Sequence, residues 1–244
     1  AGINHQSWFL RFEKRGSAWS QGEDLYPALF EAAKNPEIFN KEAVRFEMMK
    51  HFGYFVTESS GHNSEYVPYF RKRPELFEQF NLKHREPTKD GDRAKRFWEQ
   101  DVPGAGKIDD DALALKRSQE YASGIMYAIE TNGLFRFNGN VRNDGLISNL
   151  PDGCCVEVPC MVDGTGIRPC GIGALPVQVA ALNQVHVAVQ QLTVEAVLEK
   201  DLNKAFMACA LDPLTAAICS LADIRSMFDE LVEADRPWLG DMFA

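Results

Sequence analysis

The sequence predicts an α+β fold, in which a mixed or antiparallel sheet packs against helices. Three observations favour this class. Strand-like and helix-like segments are mixed in the first part of the chain, the last part is helical throughout, and neither a regular βαβ alternation nor a glycine-rich phosphate loop occurs. The 244 residues, 45% of them apolar and 25% charged, suffice for one large domain or two small ones, and we treat residues 1–244 as one.

Two strands and three helices are expected in the first third of the chain. Apolar residues that alternate with other residues favour a strand at 7–13, and a short strand is expected at 54–57. Apolar residues at helical spacing, bounded by proline or glycine, favour helices at 25–34, 41–52 and 74–80.

The middle of the chain combines an excursion, a helix and several turns. Residues 83–111 are highly charged and contain few apolar anchors, so we expect them to form an exposed excursion from the domain. A helix with one apolar face is expected at 112–131. Asparagine and glycine residues then predict turns at 138–140, 143–145 and 149–153.

The end of the chain begins with a strand and continues as helices. At 156–162, valines and Cys160 alternate with other residues, which predicts a strand with one buried face. Pro159 indicates that this strand lies at an edge or contains an irregularity. Apolar residues three and four apart predict a long helix at 178–200, and shorter helices are expected at 203–211, 213–221 and 222–235.

The charge of the chain excludes some classes of partner. With 35 acidic and 26 basic residues, the formal net charge is −9, which disfavours binding to nucleic acid because phosphate contacts need a basic face. No apolar run approaches the roughly 18 residues of a membrane span, and no export signal is visible. We therefore expect a cytoplasmic protein that binds neither nucleic acid nor membrane.

The six cysteines are too few for a disulfide scaffold, and we expect them to be reduced. Four of them crowd into one stretch but form no C-x-x-C pair, and in a strand such residues behave as small apolar side chains. A metal site is therefore not expected at Cys154, Cys155, Cys160 and Cys170.

His5 is a candidate metal ligand. It follows a Gly-Ile-Asn turn and precedes an apolar strand, and a neutral imidazole in that position suits Mn²⁺, Fe²⁺ or Zn²⁺. Spacing identifies no further ligand beside it, so a capping or packing histidine is the alternative.

A second group of polar residues lies within nine residues, flanked by hydroxyl side chains: Glu58, His62, Glu65 and Tyr66. Such a group can hold a general acid or base, or bind sugar hydroxyls. A polar loop that faces solvent is the alternative. Elsewhere, His186 fits a satisfied histidine of the core or an interface, and the asparagines at 140, 143 and 149 fit turns, although amides also bind hydroxyl ligands.

Several stretches resemble glycoside hydrolase family 4, in particular its α-galactosidase (melibiase) branch. The resemblance covers nearly the whole chain and is carried by AGINH at 1–5, HFGYFVTESS at 51–60, SEYVPYF at 64–70, SQEYAS at 118–123 and GNVRNDGLISNLPDGCCVEVPC at 139–160. Members of this family are about twice as long, and their N-terminal half is a Rossmann domain that binds NAD. The chain starts without an initiator methionine, where that half has ended, so we expect either a longer polypeptide or a solitary C-terminal half.

The resemblance implies a function and its cofactors. It implies that residues 1–244 form the C-terminal domain that binds metal and substrate and that forms oligomers. The family hydrolyses glycosides by oxidation, elimination, addition and reduction, with NAD and a divalent ion, usually Mn²⁺. No residue of this chain is assigned to NAD.

Carried over residue by residue, the resemblance places His5 at the metal-binding histidine of the family. The catalytic base is expected among Tyr66, His62 and Glu65, with Tyr66 first by residue type. Candidate substrate contacts are Asn4, Asn140 and Asn143.

The expected substrate is an α-galactoside such as melibiose, since no basic group for a sugar phosphate can be placed. The resemblance also implies a homodimer or homotetramer, with the helix at 178–200 as a candidate interface. Two alternatives stay open: the same scaffold with α-glucosidase or α-galacturonidase specificity, and a solitary, non-catalytic module for sugar binding or oligomerisation.

Overall fold

An antiparallel sheet and a set of helices form the fold, which confirms the predicted α+β class. The computed structural model describes residues 1–16, 22–83, 120–240 and 242–243. The strands are β1 (Gly2–Ile3), β2 (Gln6–Ser7), β3 (Glu13–Lys14), β4 (Glu23–Asp24), β5 (Phe135–Arg142), β6 (Cys155–Asp163) and β7 (Gly166–Pro169).

Most helices of the described residues follow the predicted segments, whereas the short helices at Pro36–Phe39 and Ser60–Asn63 were not predicted. Gly53, with a φ of 83°, ends the helix predicted at 41–52, and the long helix predicted at 178–200 extends over Val177–Glu199. The helices are α1 (Tyr26–Ala32), α2 (Pro36–Phe39), α3 (Ala43–Phe52), α4 (Ser60–Asn63), α5 (Pro74–Gln79), α6 (Ala122–Thr131), α7 (Val177–Glu199), α8 (Leu202–Leu211), α9 (Pro213–Ile218) and α10 (Leu221–Leu239).

Strand β6 is the centre of the main sheet, whose order is β2-β1-β6-β5, with β7 also paired to β6. Its inward side chains, at 156, 158, 160 and 162, are almost completely buried, which confirms the predicted alternation. Pro159 lies where the neighbour of β6 changes from β1, paired at Glu157, to β7, paired from Cys160 onward. The predicted irregularity is therefore present. The neighbour of β6 changes at Pro159, which has no backbone N–H to donate.

The two strands predicted at 7–13 and 54–57 are wrong. The first breaks into β2 and β3, because the fully buried Trp8 turns into the core. The second is reduced to one isolated bridge, between Val56 and Trp8. The backbone of 54–57 instead forms hydrogen bonds with the residues on either side of Trp8. Thr57 N–H donates to the carbonyl of Ser7, and Phe9 N–H donates to the carbonyl of Phe55.

The turn predicted at 138–140 is also wrong, because β5 runs straight through it. Asn138, Gly139 and Asn140 lie opposite Pro159, Val158 and Glu157 of β6. Eight cross-strand pairs outweigh the local turn preference of this tripeptide. A Cβ at Gly139 would lie 2.8 Å from the Phe137 ring, so a larger residue there would require that ring to shift.

Two predictions fall on residues outside the described ranges. The excursion at 83–111 does so except for Lys83, which is exposed. The helix predicted at 112–131 begins at Ala122 within the described residues, and 112–119 lie outside them. No helix of the described residues is long and apolar enough to cross a membrane.

The predicted turns at 143–145 and 149–153 exist, and one side chain organises both. The fully buried Asn143 donates from its amide nitrogen to the carbonyls of Ile147, Leu150 and Pro151, and its Oδ1 accepts from the N–H of Ile147. Asn143 is therefore committed to the turn, and no donor is left for a sugar hydroxyl, contrary to the role expected from the resemblance.

Replacing Asn143 tests this structural role. We expect Asn143→Ala to lower the free energy of unfolding by about 2–4 kcal/mol, because buried carbonyls lose their donor. The matched control is Asn140→Ala, an exposed asparagine on the same β-hairpin, which should change it by less than about 0.5 kcal/mol. Urea unfolding followed by circular dichroism measures both, and equal effects would contradict the assignment.

Candidate active site

His5 lies in a tight hairpin whose shape depends on its neighbours. Asn4 and His5 form the two-residue loop between β1 and β2, with Ile3 opposite Gln6. A Cβ at Gly2 would come within 2.6 Å of the Gln6 carbonyl oxygen, so only glycine permits this close approach. His5 itself has a φ of 62°, a left-handed conformation that is uncommon for residues other than glycine and that clusters at functional sites.

Helix α7 anchors the chain that leaves this hairpin. The buried Asn183 donates from Nδ2 to the carbonyl of Gln6 at 2.7 Å, and its Oδ1 accepts from Trp8 Nε1 at 3.3 Å. One amide thus satisfies a backbone carbonyl and a buried indole on either side of Ser7, which fixes the direction in which the hairpin points.

The segment that faces His5 is held equally firmly. Its short helix α4 begins at Ser60, whose backbone N–H and hydroxyl both donate to Oε2 of Glu42. Arg45 donates from its guanidinium to the carbonyl of Val56, just before the segment. Residues 58–66, predicted as a polar segment, are thus held in a defined position and form one side of the site, which we call the wall.

Three side chains of the hairpin and the wall meet at one carboxylate oxygen. Oε2 of Glu58 lies 2.6 Å from Nδ1 of His5 and 3.5 Å from Nδ1 of His62. The two imidazole rings are 4.5 Å apart, centroid to centroid. The structure therefore brings together His5 and His62, which are 57 positions apart in the chain, around Glu58, a member of the predicted polar group to which no individual role was assigned.

Glu58 is held as a carboxylate in this position. Burial raises the pKa of Glu58, but hydrogen bonds from His5 and Ser59, with the neighbouring His62, outweigh burial and lower the pKa below its ordinary value. Its other oxygen, Oε1, accepts from the backbone N–H of Ser59 at 2.8 Å. Both oxygens are therefore oriented, and the charge persists at neutral pH.

A second carboxylate and an arginine continue this row of charges. Glu65 lies 4.0 Å from Nε2 of His62 and 3.4 Å from the guanidinium of Arg71. Arg71 also donates to the Ser64 hydroxyl at 2.8 Å and to the Gly61 carbonyl. Arg71 thus ties Glu65 to the fold of the wall.

Tyr66 contacts three histidine rings. Its centroid lies 5.5 Å from that of His5, in a stacked arrangement, 5.3 Å from His62 and 5.5 Å from His186. Nε2 of His186 also lies 2.6 Å from the carbonyl oxygen of Tyr66. This hydrogen bond confirms the prediction that His186 is a buried, satisfied histidine.

Of the predicted substrate contacts, only Asn4 adjoins the cluster of His5, Glu58, His62, Glu65 and Tyr66. Asn4 is exposed beside His5 in the hairpin loop, whereas Asn140 lies on the exposed face of β5 opposite Glu157. Asn143 is buried in its turn. Of the predicted catalytic and metal residues, His5, His62, Glu65 and Tyr66 are all in the cluster. Glu58 belongs to the predicted polar group, and its four-residue spacing from His62 is the signal that could have assigned it to the metal group.

The cluster fits a divalent cation. Ligand atoms of His5, Glu58 and His62 lie within 4.8 Å of one another, and no second such group occurs in the part of the chain that the structure describes. Imidazole nitrogens with a carboxylate oxygen suit Mn²⁺, Fe²⁺ or Zn²⁺. All six cysteines are free thiols, and Cys160 is buried in β6, where burial raises the pKa of its thiol.

Comparison with known proteins gives one consistent family. The profile of the "Family 4 glycosyl hydrolase C-terminal domain" matches residues 1–215. An alpha-galactosidase of Bacillus subtilis is 42% identical over 98% of this chain and 54% of its own length, and one of Rhizobium meliloti is 35% identical over 98% and 50%. The chain thus spans about half the length of these relatives.

A solved structure shares the fold. The 6-phospho-alpha-glucosidase from gut microorganisms, crystallised in complex with NAD and Mn²⁺, has a TM-score of 0.65 and 23% identity. The match covers 96% of this chain and 53% of that one.

The buried His186 predicts a pH dependence of stability. Burial lowers the pKa of His186 below its ordinary 6.5, although the Tyr66 carbonyl and Asp212 partly oppose this. Its contribution to stability is therefore complete above about pH 6.5 and declines as the pH falls below that value, because the unfolded chain then binds more protons. We expect the free energy of unfolding of His186→Gln to fall less between pH 7 and pH 5 than that of the unchanged chain.

Urea unfolding at several pH values measures this difference. His51→Gln is the matched control, since His51 is an exposed histidine on α3. If His51→Gln and His186→Gln alter the pH dependence equally, the burial of His186 does not govern it.

Proposed function

Because this chain belongs to glycosyl hydrolase family 4, we propose that it is the metal- and substrate-binding part of an α-galactosidase that depends on NAD and Mn²⁺. The similarity to two alpha-galactosidases, at 42% and 35% identity, supports the choice of substrate. The NAD and Mn²⁺ of the solved 6-phospho-alpha-glucosidase support the choice of cofactors. The proposed substrate is an α-galactoside such as melibiose.

The single observation that carries the proposal is the cluster of His5, Glu58 and His62 beside Tyr66. An imidazole nitrogen is a common metal ligand, His5 is the proposed ligand of Mn²⁺, and the Glu58 carboxylate lies beside it. When bound, Mn²⁺ supplies a Lewis acid for sugar oxygens and NAD supplies a hydride acceptor. We assign no residue of this chain to NAD.

Tyr66 is the proposed base that removes a proton from the sugar. Its ring stacks on that of His5, with the centroids 5.5 Å apart, which places this residue beside the proposed metal ligand. Tyr66 comes first by residue type, and the alternatives are His62, near Glu58, and Glu65, paired with Arg71. Asn4, exposed beside His5, is the proposed contact to a sugar hydroxyl.

Arg71 bears on whether the sugar is phosphorylated. This basic side chain contacts the cluster, yet it is already committed to Ser64, Gly61 and Glu65. Its commitment supports an unphosphorylated galactoside.

The expected homodimer or homotetramer stays a prediction. Helix α7 exposes Val194 and Leu198 on its outer face. Light scattering of Leu198→Lys therefore tests whether this face forms the interface of the oligomer.

An aryl galactoside assay tests the proposed activity. We expect 4-nitrophenyl α-galactoside to release nitrophenol only when NAD⁺ and Mn²⁺ are both present, and the α-glucoside and α-galacturonide to react more slowly. No release from any of the three substrates would contradict catalysis by this chain on its own, and preference for another sugar would replace the substrate assignment.

Replacing Tyr66 tests the base. Tyr66→Phe should lower kcat about 10²–10⁴-fold with a smaller change in KM, since the phenol oxygen alone is removed. Tyr69→Phe, a change of the same kind in a tyrosine packed against Phe52 and Phe70, is the control and should leave kcat unchanged. If kcat of Tyr66→Phe equals that of the control, the base is His62 or Glu65.

A further inference from the structure

We propose that Glu58 is a positioning residue that fixes the tautomer and direction of the His5 ring, so that Nε2 is the atom of His5 that binds the metal. The inference rests on the proposed function, because it concerns the ion expected at His5. It assigns Glu58 to the surroundings of the ion and not to its ligands.

The first step is the contact itself. Nδ1 of His5 and Oε2 of Glu58 are 2.6 Å apart, a short hydrogen bond between residues 53 positions apart in the chain. The Glu58 side chain is 21% exposed, and its Oε1 is held by the Ser59 N–H. The carboxylate therefore cannot turn away from His5 without losing two hydrogen bonds.

The second step is the position of the proton. An ionised carboxylate only accepts hydrogen bonds, so the proton between the two atoms belongs to Nδ1 of His5. A neutral imidazole carries one N–H, and its other nitrogen carries the lone pair. Nε2 is therefore the nitrogen of His5 that is available to a cation.

The third step excludes Glu58 and Nδ1 as joint ligands in this arrangement. Nitrogen and oxygen ligands lie about 2.0–2.2 Å from such a metal ion, so that two neighbouring ligand atoms are about 3 Å apart or more. At 2.6 Å, Nδ1 and Oε2 are too close to have an ion between them. A carboxylate that accepts from the far nitrogen of a metal-binding histidine is, in contrast, a common arrangement.

The fourth step is that the fold holds both partners in place. The left-handed His5 backbone belongs to a two-residue loop that needs glycine at position 2. The wall that carries Glu58 is tied to α3 through Glu42 and Arg45. The same Oε2 lies 3.5 Å from Nδ1 of His62, so one carboxylate oxygen is close to the Nδ1 atoms of both imidazole rings.

The tautomer of His5 in the metal-free chain is the first test. ¹⁵N NMR of histidine-labelled protein at a pH where the ring is neutral should show a protonated Nδ1 and a bare Nε2 for His5. The opposite tautomer, with the proton on Nε2, would overturn the inference whatever the activity of the protein proves to be.

Metal binding is the second test, with Glu58→Gln as the variant. Glutamine keeps the length of the side chain and removes its charge, so Mn²⁺ affinity, measured from the electron paramagnetic resonance signal of the free ion, should fall about 10–100-fold. Glu47→Gln is the matched control, because Glu47 pairs with Nε2 of His51 at 3.0 Å outside the site. Unchanged affinity in Glu58→Gln, with its fold intact by circular dichroism, would overturn the inference.

The ligating atom is identified with ¹¹³Cd²⁺ as the probe in the unchanged chain, which needs no folded variant. Scalar coupling between ¹¹³Cd and Nε2 of His5 is the expected result, and coupling to Nδ1 would overturn the inference. If His5 has the expected tautomer but binds neither Cd²⁺ nor Mn²⁺, the metal site of the proposed function fails, and the metal role of Glu58 fails with it. The opposite tautomer of His5, in contrast, would mean that the positioning role of Glu58 fails by itself.

Discussion

The hydrogen bonds of two buried side chains on α7 hold the two parts of the candidate site. Asn183 binds the Gln6 carbonyl and the Trp8 indole, which fixes the hairpin that carries His5. His186, three positions later and so on the same side of the helix, binds the Tyr66 carbonyl at the end of the facing wall. Helix α7 thus sets the separation between the hairpin and the wall, and the geometry around Glu58 depends on it.

Between these two parts, carboxylates alternate with imidazole and guanidinium groups, which limits the cost of burying the carboxylates. Glu58 lies between two imidazoles, and Glu65 lies between His62 and Arg71. Each partly buried carboxylate therefore has a hydrogen-bond donor or a cation beside it, which is the condition under which buried charge is tolerated. A cation bound at His5 would join this row next to the carboxylate that carries the lowered pKa.

The site also contains features that cost stability. His5 adopts a left-handed backbone conformation. The completely buried side-chain amides of Gln6 and Asn63 have no hydrogen-bond partner within the described ranges. Each residue adjoins a candidate ligand, Gln6 after His5 and Asn63 after His62. A buried amide without a partner costs about 1–3 kcal/mol. Such local costs persist where the surrounding fold over-determines the conformation, as the anchors on α3 and α7 do here.

Features that depend on near neighbours in the chain could be predicted from the amino-acid sequence. The periodicity of 178–200 predicted α7, the alternation at 156–162 predicted β6, and the crowding of Glu58, His62, Glu65 and Tyr66 predicted one polar group. His5 was selected from its local motif and from the family resemblance. The predictions of α7 and β6 succeeded in position because spacing along a helix or strand decides which side chains share a face.

Features that join distant parts of the chain are visible only in the folded molecule. Residues 138–140 form part of a strand paired with β6, although their sequence favours a turn. The alternation at 7–13 predicts one strand, but burial of Trp8 interrupts it. The contact of His5 with Glu58 spans 53 positions, and those of α7 with the hairpin and the wall span 120 or more. Local spacing contains no information on which distant partner will satisfy a buried group, because that choice depends on how the whole core packs.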